Sequence, residues 1–380
     1  MDTETKKILI LYATAGIGHK KAAMAIKGAF DELNLPGVDV ILADALDYTT
    51  PFFKKSYLQT YLLMVNKLSF LWGLSYYFTD NRYANIVISK IRRLNNRHYS
   101  RRLREYLLKT QPDVIVSTHF FASEVISRMK ADGALRSKLL TVVTDYRLHS
   151  WWVNRNTDMY TVGDVDARED LLAAGVPDTR IKVLGIPAEP AFSKSVDKDR
   201  VMKSLGLEKG VFTVLSIGGG FGVGPIEEII KAVDRVPAKI QMIVVCGHNE
   251  KLKERIEALK PQLKVRILAL GFIDNVYDYM AVSDIIISKS GGITTSESLV
   301  KELPMVITAP IPGQETRNSD FLIGHGAAVR MDKPAELTGI VADIIGHPEK
   351  IKAMKGAIAA IRKPDAPYDI AKVAVELSSN

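Results

Sequence analysis

Short runs of apolar, mostly β-branched residues alternate along the chain with longer stretches in which apolar residues recur every three or four positions. Runs that are apolar throughout belong to strands buried on both faces, so the alternation predicts an α/β protein with parallel sheets. In the first half the pattern predicts strands near 8–13, 38–43, 113–118, 139–144, 158–162 and 181–184, with helices near 20–33, 121–130 and 165–174. In the second half it predicts strands near 211–217, 240–246, 265–270, 284–288 and 305–309. Helices follow near 225–234, 249–259, 293–302, 317–324, 334–346, 348–361 and 367–377. The two halves read as similar doubly wound units in tandem. Their seam falls near "GIPAEPAF", 185–192, where prolines interrupt regular structure.

A length of 380 residues agrees with two domains. With 47% apolar and 25% charged residues the composition is that of a globular protein. The single cysteine, Cys246, excludes an internal disulfide and a cysteine metal cluster, and fits a reducing, cytoplasmic compartment. The polar start "MDTETKK" leads straight towards a strand and lacks the pattern of a signal peptide.

Charge changes the picture more. Residues 51–110 carry twelve Lys and Arg, among them Arg92, Arg93, Arg101 and Arg102, against two acids, Asp80 and Glu105. That segment alone exceeds the net charge of +8, so the basicity is one local patch that calls for an anionic partner surface. It also holds twelve of the 29 aromatic residues. Its middle, "SYLQTYLLMVNKLSFLWGLSYYF", is long enough to cross a bilayer but contains Gln59, Asn66 and Lys67, and its aromatics are scattered rather than flanking. An amphipathic surface lying on anionic headgroups fits better, with a pair of solvated helices as the competing reading. No motif of a nucleic-acid-binding module accompanies the arginines, so no nucleic-acid partner is expected.

Four loops carry candidate chemistry. In "ILILYATAGIGHKKAAMAI", 8–26, a strand meets Ala15-Gly16-Ile17-Gly18-His19 and then a helix. Lys21 stands where a dinucleotide fingerprint needs its third glycine, and Asp44 keeps only a weak nicotinamide reading alive. Gly16 and Gly18 instead allow a tight turn that leaves His19 at a helix N-terminus, where an imidazole suits a general base for a hydroxyl; a plain structural loop competes. In "LSIGGGFGVGP", 215–225, Gly218, Gly219, Gly220, Gly222 and Gly224 allow a ligand to approach the backbone closely, as phosphate-cradling loops do. In "SDIIISKSGGITTSESL", 283–299, a strand passes through Ser290-Gly291-Gly292 into a helix whose N-terminus would suit a diphosphate, with Glu297 one turn on, in reach of a ribose diol. In "APIPGQETRNSDFL", 309–322, Gln314, Glu315 and Asn318 are polar groups suited to sugar hydroxyls. Asp164-Val165-Asp166 spells the metal-holding D-x-D, but its place before a helical pattern favours helix capping.

In order, the Gly-His loop, "TDYRLHSWWV" (144–153), "LGIPAEPAF" (184–192), "SIGGGFG", "GFIDNVYDYMAVSD" (271–284), "SKSGGITTSE" and "PIPGQE" resemble the monogalactosyldiacylglycerol synthase and processive diacylglycerol glucosyltransferase family. More distantly they resemble the N-acetylglucosaminyltransferase that forms lipid II. The likeness runs from about 8 to 325, and the combination is specific where one glycine run is not. It implies an inverting enzyme of GT-B fold, with two Rossmann-like doubly wound domains facing a cleft. Residues 1–186 would bind the acceptor and the membrane through 51–110, residues 187–364 would bind a UDP-sugar, and the helix in 365–380 would pack back on the first domain.

The resemblance implies His19 as the base. Gly218, Gly219 and Gly220 would line the donor site, and Phe272 would flank the uracil. Ser290, Gly291, Gly292, Ile293 and Thr294 would surround the diphosphate, Glu297 would hold the ribose, and Gln314, Glu315 and Asn318 the hexose. Gly18, Asp145, His149 and Trp152 would lie on the acceptor side. The implied partners are a UDP-hexose, galactose or glucose, a diacylglycerol or related lipid acceptor, and an anionic phospholipid membrane to which the protein is peripheral on the cytoplasmic face. No metal or other cofactor is expected, because a helix N-terminus can meet the charge of the departing UDP. A UDP-N-acetylglucosamine-dependent transferase or epimerase of the same architecture is the alternative.

Overall fold

The computed structural model describes residues 5–14, 16–80, 96, 99–219, 222 and 224–379. They form two compact units. The first comprises Met1–Pro190, Pro312–Arg317 and Lys363–Asn380; the second comprises Ala191–Ile311 and Asn318–Arg362.

The first unit is built on β1 (Lys6–Tyr12), β2 (Val38–Asp44), β3 (Val114–Ser117), β4 (Lys138–Val142), β5 (Met159–Val162) and β6 (Ile181–Val183). They pair in the order β2-β1-β3-β4-β5-β6, every neighbour parallel. Its helices are α1 (Ile17–Leu33), α2 (Pro51–Lys67), α3 (Ser69–Asp80), α4 (Arg101–Thr110), α5 (Phe120–Ala131) and α6 (Val165–Ala173). Side chains alternate between the faces of a strand, and here both faces are covered. Ile8, Ile10, Val114 and Val116 meet Ala23, Ile26 and Ala29 of α1 and Ile370 and Ala374 of the C-terminal helix, Ala366–Ser378. Leu9, Leu11, Ile115 and Leu139 meet Leu103 and Leu107 of α4 and Phe121, Ile126 and Met129 of α5. This two-sided burial is why the strands read as unbroken apolar runs.

The basic-aromatic segment supplies α2 and α3. Thr50 caps α2 by accepting the Phe53 N–H, and Pro51 fills the first helical position, where its missing N–H costs nothing. No helix among the described residues is long and apolar enough to cross a membrane.

The second unit repeats the plan with α7 (Lys198–Ser204), β7 (Phe212–Ile217), α8 (Ile226–Asp234), β8 (Ile240–Val245), α9 (Glu250–Leu259), β9 (Arg266–Leu270), α10 (Val276–Ala281), β10 (Ile285–Ser288), α11 (Gly292–Val300), β11 (Met305–Thr308), α12 (Gln314–Gly324), β12 (Ala328–Met331), α13 (Leu337–Gly346) and α14 (Pro348–Ile361). The first turn of α12 groups with the first unit. Sheet order is β12-β11-β10-β7-β8-β9, again parallel. Val214, Met242, Val244, Ile285 and Ile287 pack under Ile229 and Val233 of α8, Ile256 of α9 and Val341 and Ile344 of α13. Three described elements of this unit were not expected from the sequence, β12, α7 and α10, as α4 was not in the first; the three are short, and β12 is an edge strand with an exposed Arg330.

Both sheets reverse direction of winding beside their first strand, between β1 and β3 and between β7 and β10. The loops leaving the carboxyl ends of those strands diverge there, and a crevice for ligand results. The loops concerned are those that carry His19 and Thr118 in the first unit, and Gly218 and Ser290 in the second.

Candidate active site

In the first unit, Gly16 holds φ at 99° and serves as the N-cap of α1, which places His19 in the first helical turn. The partly buried imidazole Nδ1 lies 2.7 Å from the Thr118 carbonyl oxygen and 3.2 Å from Thr144 Oγ1. Thr118 Oγ1 in turn donates to the His19 carbonyl, 2.9 Å away. A carbonyl oxygen can only accept, so Nδ1 carries the proton and Nε2 keeps its lone pair. Burial pushes the His19 pKa down to about 4, against the Thr118 hydrogen bond, which raises it. The ring is therefore neutral at physiological pH, with its basic nitrogen in the free tautomeric position.

His119, at the end of β3, was missed by sequence reasoning. Its ring lies edge-on to His19 at 4.4 Å between centroids, and its Nδ1 accepts the Phe121 N–H at 3.0 Å. Burial, with His19 adding to it, holds His119 well below the usual histidine range. Trp152 closes the surroundings, 6.1 Å from His19 by ring centroids, rooted among Val143, Leu148 and Tyr160. Gly18 sits in the same helical turn, and Asp145, buried, follows Thr144 directly. His149 has another task. Its Nδ1 accepts the Trp151 N–H at 3.2 Å, so Nε2 donates towards the Tyr76 carbonyl, also at 3.2 Å, and ties the 150–152 turn to α3.

Asp44 accepts from the Thr14 and Leu46 N–H groups and the Thr14 hydroxyl, so its carboxylate fastens the first loop. That removes the ribose-holding acid on which a nicotinamide reading depended. A second feature missed from the sequence is the pair Asp80 and Arg317. Arg317 donates to Asp80 Oδ2 at 2.6 Å and to the Leu148 carbonyl at 2.7 Å.

In the second unit, α11 starts after Gly291, with no side-chain cap and no acid in its first turn. The N–H groups of Gly292, Ile293 and Thr294 therefore have no intrahelical acceptor, and the helix dipole adds positive potential. Glu297 is buried on the same helix. Ser290 is buried beside this turn, and its carbonyl accepts Asn318 Nδ2 at 3.0 Å. Asn318 is itself fully buried, so it supports the Ser290 backbone rather than presenting its amide outward.

The glycine loop after β7 has Gly219 at φ 68° and Gly222 at φ 59°. A Cβ on Gly222 would stand 2.2 Å from the Cys246 carbonyl oxygen. Phe272 is 47% exposed and stacks on His248, 4.3 Å between centroids at 8°, an aromatic platform of which the sequence had signalled only half. Gln314 and Glu315 lie partly buried at the start of α12.

Gly220, Arg92 and Arg93 lie outside the described residues. Arg101 and Arg102 are exposed at the start of α4, and Arg101 pairs with Glu105 at 3.0 Å. Asp164 does occupy the N-cap position of α6, but its side chain makes no capping hydrogen bond. Among the described residues no three His, Cys, Asp or Glu side chains gather as a metal site.

Two parallel doubly wound units, each with loops converging at its switch point, make up the two-domain architecture of the GT-B fold. The profile of monogalactosyldiacylglycerol (MGDG) synthase matches residues 19–188, and that of the glycosyltransferase family 28 C-terminal domain matches residues 213–364. The chain is 31% identical to the processive diacylglycerol β-glucosyltransferase of Staphylococcus epidermidis over 93% of its own length and 88% of the relative's. It is 30% identical to monogalactosyldiacylglycerol synthase 1 of Arabidopsis thaliana, over 96% of its length and 70% of the relative's. Among solved structures, Anabaena HepE in complex with UDP-glucose superposes with a TM-score of 0.57 at 16% identity, covering 98% of each chain. The chain belongs to the monogalactosyldiacylglycerol synthase and processive diacylglycerol glucosyltransferase family, and is a glycolipid-forming hexosyltransferase.

Proposed function

We propose that the protein transfers galactose or glucose from a UDP-hexose to the hydroxyl of diacylglycerol, with inversion at the anomeric carbon, while docked on an anionic membrane at its cytoplasmic face. The observation that carries this reading is the fixed tautomer of His19, with Nδ1–H on the Thr118 carbonyl and Nε2 available as a base.

In the reaction, His19 Nε2 takes the acceptor proton as the hydroxyl oxygen attacks the anomeric carbon. The bond from that carbon to the diphosphate breaks on the opposite face, and its electron pair leaves with UDP. As positive charge develops on His19, the hydrogen bond from Nδ1–H to Thr118 strengthens, because charge-assisted bonds are the stronger ones. The first-turn N–H groups of α11 meet the charge gained by UDP, held as fixed dipoles that need no reorganisation. Glu297 holds the ribose, Phe272 with His248 flanks the base, and Gln314 and Glu315 orient the hexose.

Membrane docking draws on the outer faces of α2 and α3. Phe52, Phe70, Leu74 and Phe78 are strongly exposed there, an apolar patch of the kind that dips into an interface. Basic residues of 51–110 add attraction to anionic headgroups. Incubation with UDP-galactose or UDP-glucose and diacylglycerol in phosphatidylglycerol-containing vesicles, followed by lipid mass spectrometry, tests the reading. A hexosyl-diacylglycerol is expected; its absence with both donors, or donor epimerisation in its place, refutes it.

A further inference from the structure

The two faces of α3 differ in what they meet. Phe70, Leu71, Leu74, Tyr77 and Phe78 are exposed along one face, at helical spacing. Gly73 and Tyr76, on the other side of the helix, lie against Pro312 and Gly313, in the turn that carries Gln314 and Glu315. Gly73 lies so close to this turn that a Cβ there would stand 2.4 Å from Pro312 Cβ. Gly313, at φ 98°, lies against the Tyr76 ring, which a Cβ would meet at 2.6 Å.

Arg317 closes this contact. Its guanidinium lies 5.2 Å from the Tyr76 ring centroid and 5.8 Å from that of Tyr77, within reach of cation–π attraction. It donates at once to Asp80 at the end of α3 and to the Leu148 carbonyl. Asp80 also accepts the Ser150 N–H at 2.8 Å. Burial works against its charge, but that N–H and Arg317 outweigh burial and hold the carboxyl below the usual range. Such a pair is directional: a planar fork with two acceptors in fixed places sets one orientation of the backbone that bears it.

We propose that Arg317 and Asp80 are positioning residues that hold the Gln314–Glu315 turn on α3, so that the order of the lipid-facing helix sets the affinity for the donor hexose. The inference rests on the reading of Gln314 and Glu315 as the hexose-binding pair. Since neither Arg317 nor Asp80 touches the nucleotide in that reading, their loss acts on the sugar and not on UDP.

The test is steady-state kinetics with UDP-hexose at saturating diacylglycerol, together with calorimetric binding of UDP alone, for the wild type, Arg317→Ala, Arg317→Lys and Asp80→Asn. Arg317→Ala is expected to raise the donor KM about tenfold, with the UDP Kd within about twofold of wild type. Added guanidinium ion should restore part of the loss in Arg317→Ala. Arg317→Lys, a point charge without the fork, should fall between. Asp80→Asn, isosteric and still able to accept the Ser150 N–H, should raise KM in the same direction. An unchanged donor KM in Arg317→Ala and Asp80→Asn overturns the proposal, as does a UDP Kd that weakens in step with KM. Failure of the wild type to transfer from any UDP-hexose would instead strike the proposed function.

Discussion

The environment of His19 makes the pH dependence of turnover a sharp test. The perturbation is a fall in pH from 7 to 5.5, read on kcat/KM, which reports ionisations of the free enzyme. An ordinary imidazole with a pKa near 6.5 is about 76% neutral at pH 7 and about 9% neutral at pH 5.5, a loss of about eightfold. Burial lowers the His19 pKa to about 4. Such a group is still about 97% neutral at pH 5.5, a change of less than about 5%. The sign follows from the cause: desolvation penalises imidazolium, so the basic form persists to lower pH and is lost only as pH falls through about 4. Initial rates of hexosyl transfer in vesicles of fixed composition, buffered between about pH 3.5 and 8, would measure it. A flat profile down to pH 5.5 is expected, with the acidic limb below pH 5. An acidic limb centred at pH 6 or above, lost in His19→Ala, would refute the tautomer and burial argument.

Other consequences follow from the two loop systems and the surface. Chelation with excess EDTA is expected to leave initial rates of hexosyl transfer unchanged, since in the proposed mechanism the helix N-terminus of α11 is the group that meets the diphosphate charge; loss of activity restored by Mg²⁺ would contradict this. Gly222→Ala forces a side chain at φ 59° against the Cys246 carbonyl, so it should cost about 1–3 kcal/mol in thermal or denaturant unfolding and weaken UDP binding. Replacing exposed Arg101 and Arg102 with Ser should weaken vesicle co-sedimentation, most at low salt and high anionic-lipid content.

Most of the framework was legible because two-sided burial leaves unbroken apolar runs such as those of β1, β3, β8 and β10. β12 escaped because an edge strand of four residues with an outward arginine carries little pattern. The place of His19 in the first turn of α1 was legible because its glycines mark a backbone need. His119 had no such marker, since "STHFFASE" reads as an ordinary strand-to-helix passage; only the sheet order places it beside β1. Asp80 and Arg317 lie 237 residues apart, and no local periodicity connects them. Asn318 shows the converse limit. Its polarity suggested a sugar contact, whereas burial turns its amide to the Ser290 carbonyl.

The central claim is that His19 is the base for hexosyl transfer to diacylglycerol. One measurement tests it most directly: NMR of the lipid product from UDP-α-hexose and diacylglycerol, for the wild type and for His19→Ala, with UDP binding measured on both. The account predicts a β-linked hexosyl-diacylglycerol from the wild type. For His19→Ala it predicts a rate reduced by about 10²–10⁴ with UDP affinity retained. An α-linked product, or wild-type turnover by His19→Ala, would contradict it.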